Sequence, residues 1–100
     1  MEDEMPTFLT IHHENDVDRV TLESRWTEIA KNRRARWQMT LFNLELGKRY
    51  CEWDAPDRET IEQILKELGV KWTEILEVSV TTSSRWRMWE FRSGKHATSA

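Results

Sequence analysis

KRYCEWDAPDRETIEQILKELG, residues 48–69, holds a strand, a stop and a capped helix in succession. Tyr50, Cys51, Glu52 and Trp53 form a short aromatic-rich run that suits a pleated strand. Pro56 lacks an amide donor and Asp57 can cap a helix, so Asp54-Ala55-Pro56-Asp57 ends the strand and starts the next element. Glu59 and Glu62 place negative charge in the first turns, where the helix dipole favours it. Ile61, Ile64, Leu65 and Leu68 recur at i, i+3, i+4 and i+7, one apolar stripe. Gly69 then offers the left-handed position that commonly closes a helix.

Upstream, the same grammar repeats. Residues 7–13, TFLTIHH, are β-branched and aromatic and read as a first strand. Asn15-Asp16 breaks it, and Asp16 or Asp18 can cap a helix at this point. Leu22, Trp26, Ile29 and Ala30 then mark an amphipathic helix over residues 18–31. Lys31, Arg33, Arg34 and Arg36 cluster at its end, either as a basic terminus complementing the dipole or as a contact for an anion or RNA. Residues 37–46 read as a second strand, and Glu45-Leu46-Gly47-Lys48 turns it back as a hairpin. Residues 73–81 alternate as a fourth strand. The order is βαββαβ, an α+β ferredoxin-like pattern. Right-handed crossovers give an antiparallel sheet ordered 4-1-3-2 with both helices on one face.

The domain boundaries come from this order. Residues 1–81 form the ferredoxin-like domain with a short acidic leader, and residues 82–100 form a C-terminal extension. Within it, residues 85–91 alternate Arg with Trp, Met and Phe and read as a fifth strand or a partner-binding arm. Residues 93–100 read as a disordered tail.

Composition narrows the function classes. The chain has 100 residues, six tryptophans, one cysteine and a formal net charge of −3 at pH 7. So many bulky aromatics exceed what a small core needs and point to an interface. The acidic balance gives no basic field and counts against a nucleic-acid partner. One cysteine excludes an internal disulfide and fits a reducing, cytoplasmic setting. Met1-Glu2-Asp3-Glu4 is acidic where a signal peptide needs basic charge, and no stretch has the length of a membrane span. No Walker loop, dinucleotide fingerprint or paired CxxC is present, and whether the protein is an enzyme stays open.

Alternation along each strand assigns faces. The helix-covered face collects Leu9, Ile11, Trp37, Met39, Leu41, Cys51, Trp53, Leu76, Val78 and Val80, with His13 at its rim. The open face collects Phe8, Thr10, His12, Gln38, Thr40, Phe42, Tyr50, Glu52, Ile75 and Glu77. A bulge in any strand would flip part of this assignment. His12, Tyr50 and Glu52, with Gln38 and Glu77 nearby, then form an open-face cluster for a small ligand or for proton transfer. An apolar, uncovered sheet face also implies a homodimer whose two sheets pack together as a barrel, with Trp86 and Trp89 against the partner or closing the barrel's edge.

His12-His13 after an apolar strand, Tyr50-Cys51 opening the third strand, Ala55-Pro56 and Thr73-Glu74-Ile75 together carry a resemblance. The chain resembles small bacterial ferredoxin-like proteins of largely unknown function that include a nickel-binding protein. The resemblance spans roughly residues 8–80. It implies a dimeric α/β barrel and binding of nickel or another divalent transition metal. The positions it marks as metal ligands are His12, His13 and Cys51. Imidazole and thiolate suit such ions. Adjacent His12 and His13 point to opposite faces, however, so at most one shares a face with Cys51. By strand alternation it is His13, while a buried, unreactive thiol is the alternative for Cys51.

Overall fold

A computed structural model describes residues 5–87 of the chain. The elements run β1 (Thr7–His13), α1 (Arg19–Lys31), β2 (Arg36–Asn43), β3 (Lys48–Asp54), α2 (Arg58–Glu67) and β4 (Glu74–Val78). All neighbouring strands are antiparallel and the sheet order is β2-β3-β1-β4. This is the expected order read from the other edge, and the fold is the ferredoxin-like α+β arrangement.

Local signals fix the element ends. Asp18 caps α1, its Oδ1 accepting the Thr21 amide at 2.8 Å, and Asp57 caps α2 through the Thr60 amide at 2.8 Å. Gly69 ends α2 at φ +70°, with Val70 N–H on the Leu65 carbonyl and Gly69 N–H on that of Lys66. That paired closure is a Schellman motif, and its flanking apolar residues, Leu65 and Val70, both enter the core. Gly47 turns the β2–β3 hairpin at φ +68°, and a Cβ there would lie 2.7 Å from the Glu14 carbonyl oxygen. β2 is shorter than expected because the Asn43 side chain accepts the Leu46 amide at 2.9 Å and starts the turn early. β4 is also shorter, five residues.

The faces of three strands differ from the sequence reading. Phe8, Thr10 and His12 of β1 are buried, and Leu9 and Ile11 face the open side. The cause is register. Thr10 lies directly opposite Cys51 on β3 and opposite Ile75 on β4, and residues opposite one another share a face. Cys51 and Trp53 are buried as expected, so the even-numbered residues of β1 go with them. On β4 the buried residue is Ile75, while Leu76 is exposed. On β2 a bulge between Trp37 and Met39 shifts the phase, which leaves Trp37 inward, Met39 and Leu41 outward, and Thr40 opposite Cys51.

The core lies between the sheet and both helices. Ile29 of α1 and Ile61, Ile64 and Leu65 of α2 pack with Phe8, Cys51, Trp53 and Ile75. At the edge of α1, Trp26 stacks on Trp37 at 6.2 Å between ring centroids and meets Phe42 at 5.1 Å. Beyond β4, residues 83–87 are helical, begun by Thr82, whose hydroxyl accepts the Arg85 amide at 3.1 Å. A fifth strand is therefore not formed at 85–87. The remainder of the expected strand or arm, including Trp89, lies outside the described residues, as do the leader and the tail. Among the described residues no helix is long and apolar enough to cross a membrane.

Candidate functional site

The covered face holds a chain of polar side chains inside the apolar core. His12 is 2 % exposed. Its Nδ1 lies 2.8 Å from the Lys71 carbonyl oxygen and its Nε2 lies 2.9 Å from Thr10 Oγ1. A carbonyl can only accept, so Nδ1 bears the proton and Nε2 accepts from the Thr10 hydroxyl. Trp53 Nε1–H in turn donates to Thr10 Oγ1 at 3.1 Å. The Trp53 indole N–H, the Thr10 hydroxyl and both His12 ring nitrogens are thereby satisfied. Burial holds His12 below its ordinary value of 6.5; the Lys71 carbonyl opposes this and the Arg49 guanidinium adds to it. His12 is a neutral, fully engaged imidazole.

A parallel chain reaches the thiol. Trp37 Nε1–H donates to Thr40 Oγ1 at 2.8 Å, and the Thr40 hydroxyl donates to Cys51 Sγ at 3.2 Å. Burial pushes the Cys51 thiol up, against the smaller effects of Thr40, Thr10 and Arg49. The protonated form is favoured, which disfavours Cys51 as a nucleophile or a metal ligand.

Beside His12 sits an ion cluster. Glu14 accepts two hydrogen bonds from Arg25, at 2.8 and 3.1 Å, and lies 3.1 Å from the buried Arg49. Hydrogen bonding by Arg25 holds the Glu14 carboxyl below its ordinary value. This cluster ties α1 to the centre of the sheet.

The metal set expected from the resemblance does not converge in one chain. His12 and Cys51 share the covered face, with Thr10 between them, whereas His13 is exposed on the other side of β1. The pairing of His13 with Cys51 is thus replaced by His12 with Cys51. Neither ring nitrogen of His12 is available, and the thiol is protonated and hydrogen-bonded. Among the described residues no group of three or more His, Cys, Asp and Glu side chains could hold a metal ion. The described residues of one chain do not fit a nickel site.

The open-face cluster is also recomposed. His12 leaves it, because the register buries that side of β1. Gln38, the extra residue of the bulge, donates to Asp54 Oδ2 at 2.7 Å, and Glu77 pairs with Phe8 on the covered side. Tyr50 and Glu52 remain. Tyr50 lies between Ile11 and Leu41, and Glu52 lies between Leu9 and Met39. Thr10 and Thr40, which organise the buried chains, were missed by sequence reasoning. Their signal was the polar residue recurring at every second position of an otherwise apolar strand, and it reads equally well as a solvated face.

Residues 8–78 match the family model described as nickel responsive protein SCO4226-like. Among solved structures, the crystal structure of SCO4226 from Streptomyces coelicolor A3(2) is similar, with a TM-score of 0.66 and 19% sequence identity. The likeness covers 76% of this chain and 99% of that one, and at this identity it is a likeness of fold. No curated protein matches the chain. With 71 of its 100 residues matched by the family model, the chain belongs to the nickel responsive SCO4226-like family.

Proposed function

We propose that this protein works as a homodimer in which two open sheet faces pack together and close a barrel, and that the enclosed space binds a small ligand. The uncovered apolar face carries this reading. Leu41 is 63 % exposed, Met39 46 % and Leu76 40 %, beside the half-buried Leu9, Ile11 and Val78. Contiguous apolar surface of this kind is unusual on a monomer, and an isologous twofold contact would bury it. Tyr50 and Glu52 supply a phenol and a carboxylate among aliphatic neighbours, a composition typical of small-ligand sites. With His12 buried and fully engaged, the cluster lacks the base it was expected to hold. Binding is favoured over proton-transfer catalysis.

A second reading takes a nickel-like transition metal ion as the ligand, because the family is described as nickel responsive. Its donors then come from the open side, where His13 and Glu52 stand and where a twofold dimer would present each of them twice. His12 and Cys51 take no part. The cytoplasmic setting rests on the single free cysteine.

Sedimentation of untagged protein at micromolar concentration tests the first reading: a dimer that becomes monomeric in Leu41→Lys supports it, and a wild-type monomer removes it. Nickel titration tests the second. Binding lost in His13→Ala and kept in Cys51→Ala supports it, and protein that ignores nickel removes it.

A further inference from the structure

We infer that the cleft between the end of α1 and the start of β2 is a binding site for a small aromatic carboxylate. The cleft has a cavity volume of about 290 Å³, room for one ring and its substituent. Ile29, Ala30 and Ala35 give it an apolar floor, Trp37 an aromatic wall, and Arg33 and Arg36 a cationic mouth. Among the described residues none of those lining it is acidic.

The wall is rigid before any ligand arrives. The Trp37 indole is stacked against Trp26 with 16° between the planes and its N–H is held by Thr40, so one of its faces is fixed in place. The turn is rigid too. Asn32 donates to the Ile29 carbonyl at 2.7 Å and accepts the Arg34 and Ala35 amides at 2.8 and 3.0 Å. Arg33 and Arg36, on either side of this turn, both line the cleft.

The guanidiniums are differently committed. Arg34 forms a two-point pair with Glu67 across to α2. Arg36 stands opposite Asp54 on the ladder, but both Asp54 oxygens are taken, by Thr7 and Gln38. Among the described residues neither the Arg33 nor the Arg36 side chain is in an ion pair or a hydrogen bond. The last carbonyls of α1 carry partial negative charge, which disfavours an anion at the helix axis. The Asn32 side chain and backbone amide cover the Ile29 carbonyl, and Arg33 and Arg36 are exposed, so the proposed carboxylate sits at the mouth and the ring on the floor. Planar guanidinium matches carboxylate in two-point geometry, and Arg stacks on aromatic faces as well. Trp37 is on the helix-covered side of β2, and neither Tyr50 nor Glu52 of the open face lines the cleft.

Nitrogen-15 amide spectra of the full chain titrated with sodium benzoate, and in parallel with benzamide, test the inference. Benzoate should shift the Trp37 indole N–H and the amides of residues 33–37, while benzamide should not. The affinity should fall roughly tenfold for each guanidinium removed in Arg33→Ala and Arg36→Ala, exposed positions where the fold is retained. Shifts absent up to millimolar benzoate, equal shifts with benzamide, or unchanged affinity in the double variant would each overturn it. The open-face ligand does not enter this readout, since Tyr50 and Glu52 amides report that site independently.

Discussion

Lowering the pH from 7.5 to 5.5 should destabilise the protein through His12, and the size of the effect is set by its burial. The native ring is neutral, with Nδ1 donating to Lys71 and Nε2 accepting from Thr10. A second proton has nowhere to go unless the Thr10 hydroxyl turns away, and it would arrive beside Arg49, the cross-strand neighbour of His12. The folded-state value is therefore depressed below 6.5, whereas the unfolded chain titrates near that value. Between those values the unfolded chain binds more protons than the native one, so stability is fully present above pH 6.5 and is lost as pH falls below it. One proton sets a ceiling of about 1.4 kcal/mol per pH unit in that window. Against a total of about 5–15 kcal/mol for a small domain, the loss is easily measured. Urea unfolding monitored by tryptophan fluorescence should show a lower midpoint at pH 5.5 than at 7.5 with an unchanged slope. The variant His12→Gln should be less stable at both pH values yet nearly flat between them. Glu14 does not blur the result, because its window opens below its ordinary value of 4.5. An equal or higher wild-type midpoint at pH 5.5 would refute the buried neutral imidazole.

The packing implies three further outcomes. Glu14→Gln should cost about 2 kcal/mol in urea unfolding, below the roughly 3–5 typical of a fully buried pair because Glu14 is partly exposed, and Arg49 loses its counter-charge. Cys51 should resist a thiol-reactive disulfide reagent in the native state and react at the rate of unfolding, with full labelling in urea. Leu65→Ala should lower stability by about 2–5 kcal/mol, since Leu65 is fully buried and also closes the α2 terminus against Val70.

Elements and caps were legible in the sequence because their causes are local. Asp18 and Asp57, Gly47 and Gly69, and the 3.6-residue stripe of α2 each act within a few turns of the chain. The sheet order came from crossover handedness. Side-chain faces were not legible, because they depend on register, which joins residues far apart in the chain, such as Thr10 and Cys51. Leu9 and Ile11 are the more apolar pair on β1, so counting apolar residues selected the wrong side. The bulge at Gln38 compounded the error on β2. The candidate site inherited it: the His12 ring was expected in the open cluster and lies in the core, while Tyr50 and Glu52 keep their places. The ion cluster of Glu14, Arg25 and Arg49 gave no sequence signal, since its members come from three separate stretches.

The buried polar chain on β1 also settles an ambiguity that this strand would otherwise carry. Leu9 and Ile11 on one side and Phe8 with Thr10 and His12 on the other make both faces acceptable to an apolar environment by composition. A slip of one residue exchanges the two sets completely. Hydrophobic burial alone would even favour the slipped alignment. What distinguishes the two is that only the native alignment gives His12 a carbonyl on one nitrogen and a hydroxyl on the other, and gives the Trp53 indole an acceptor. Replacing Thr10 and His12 together with valine and leucine would leave a strand with two interchangeable sides. Its hydrogen-bonded ladder could then form in either phase, and the single native arrangement would give way to a mixture.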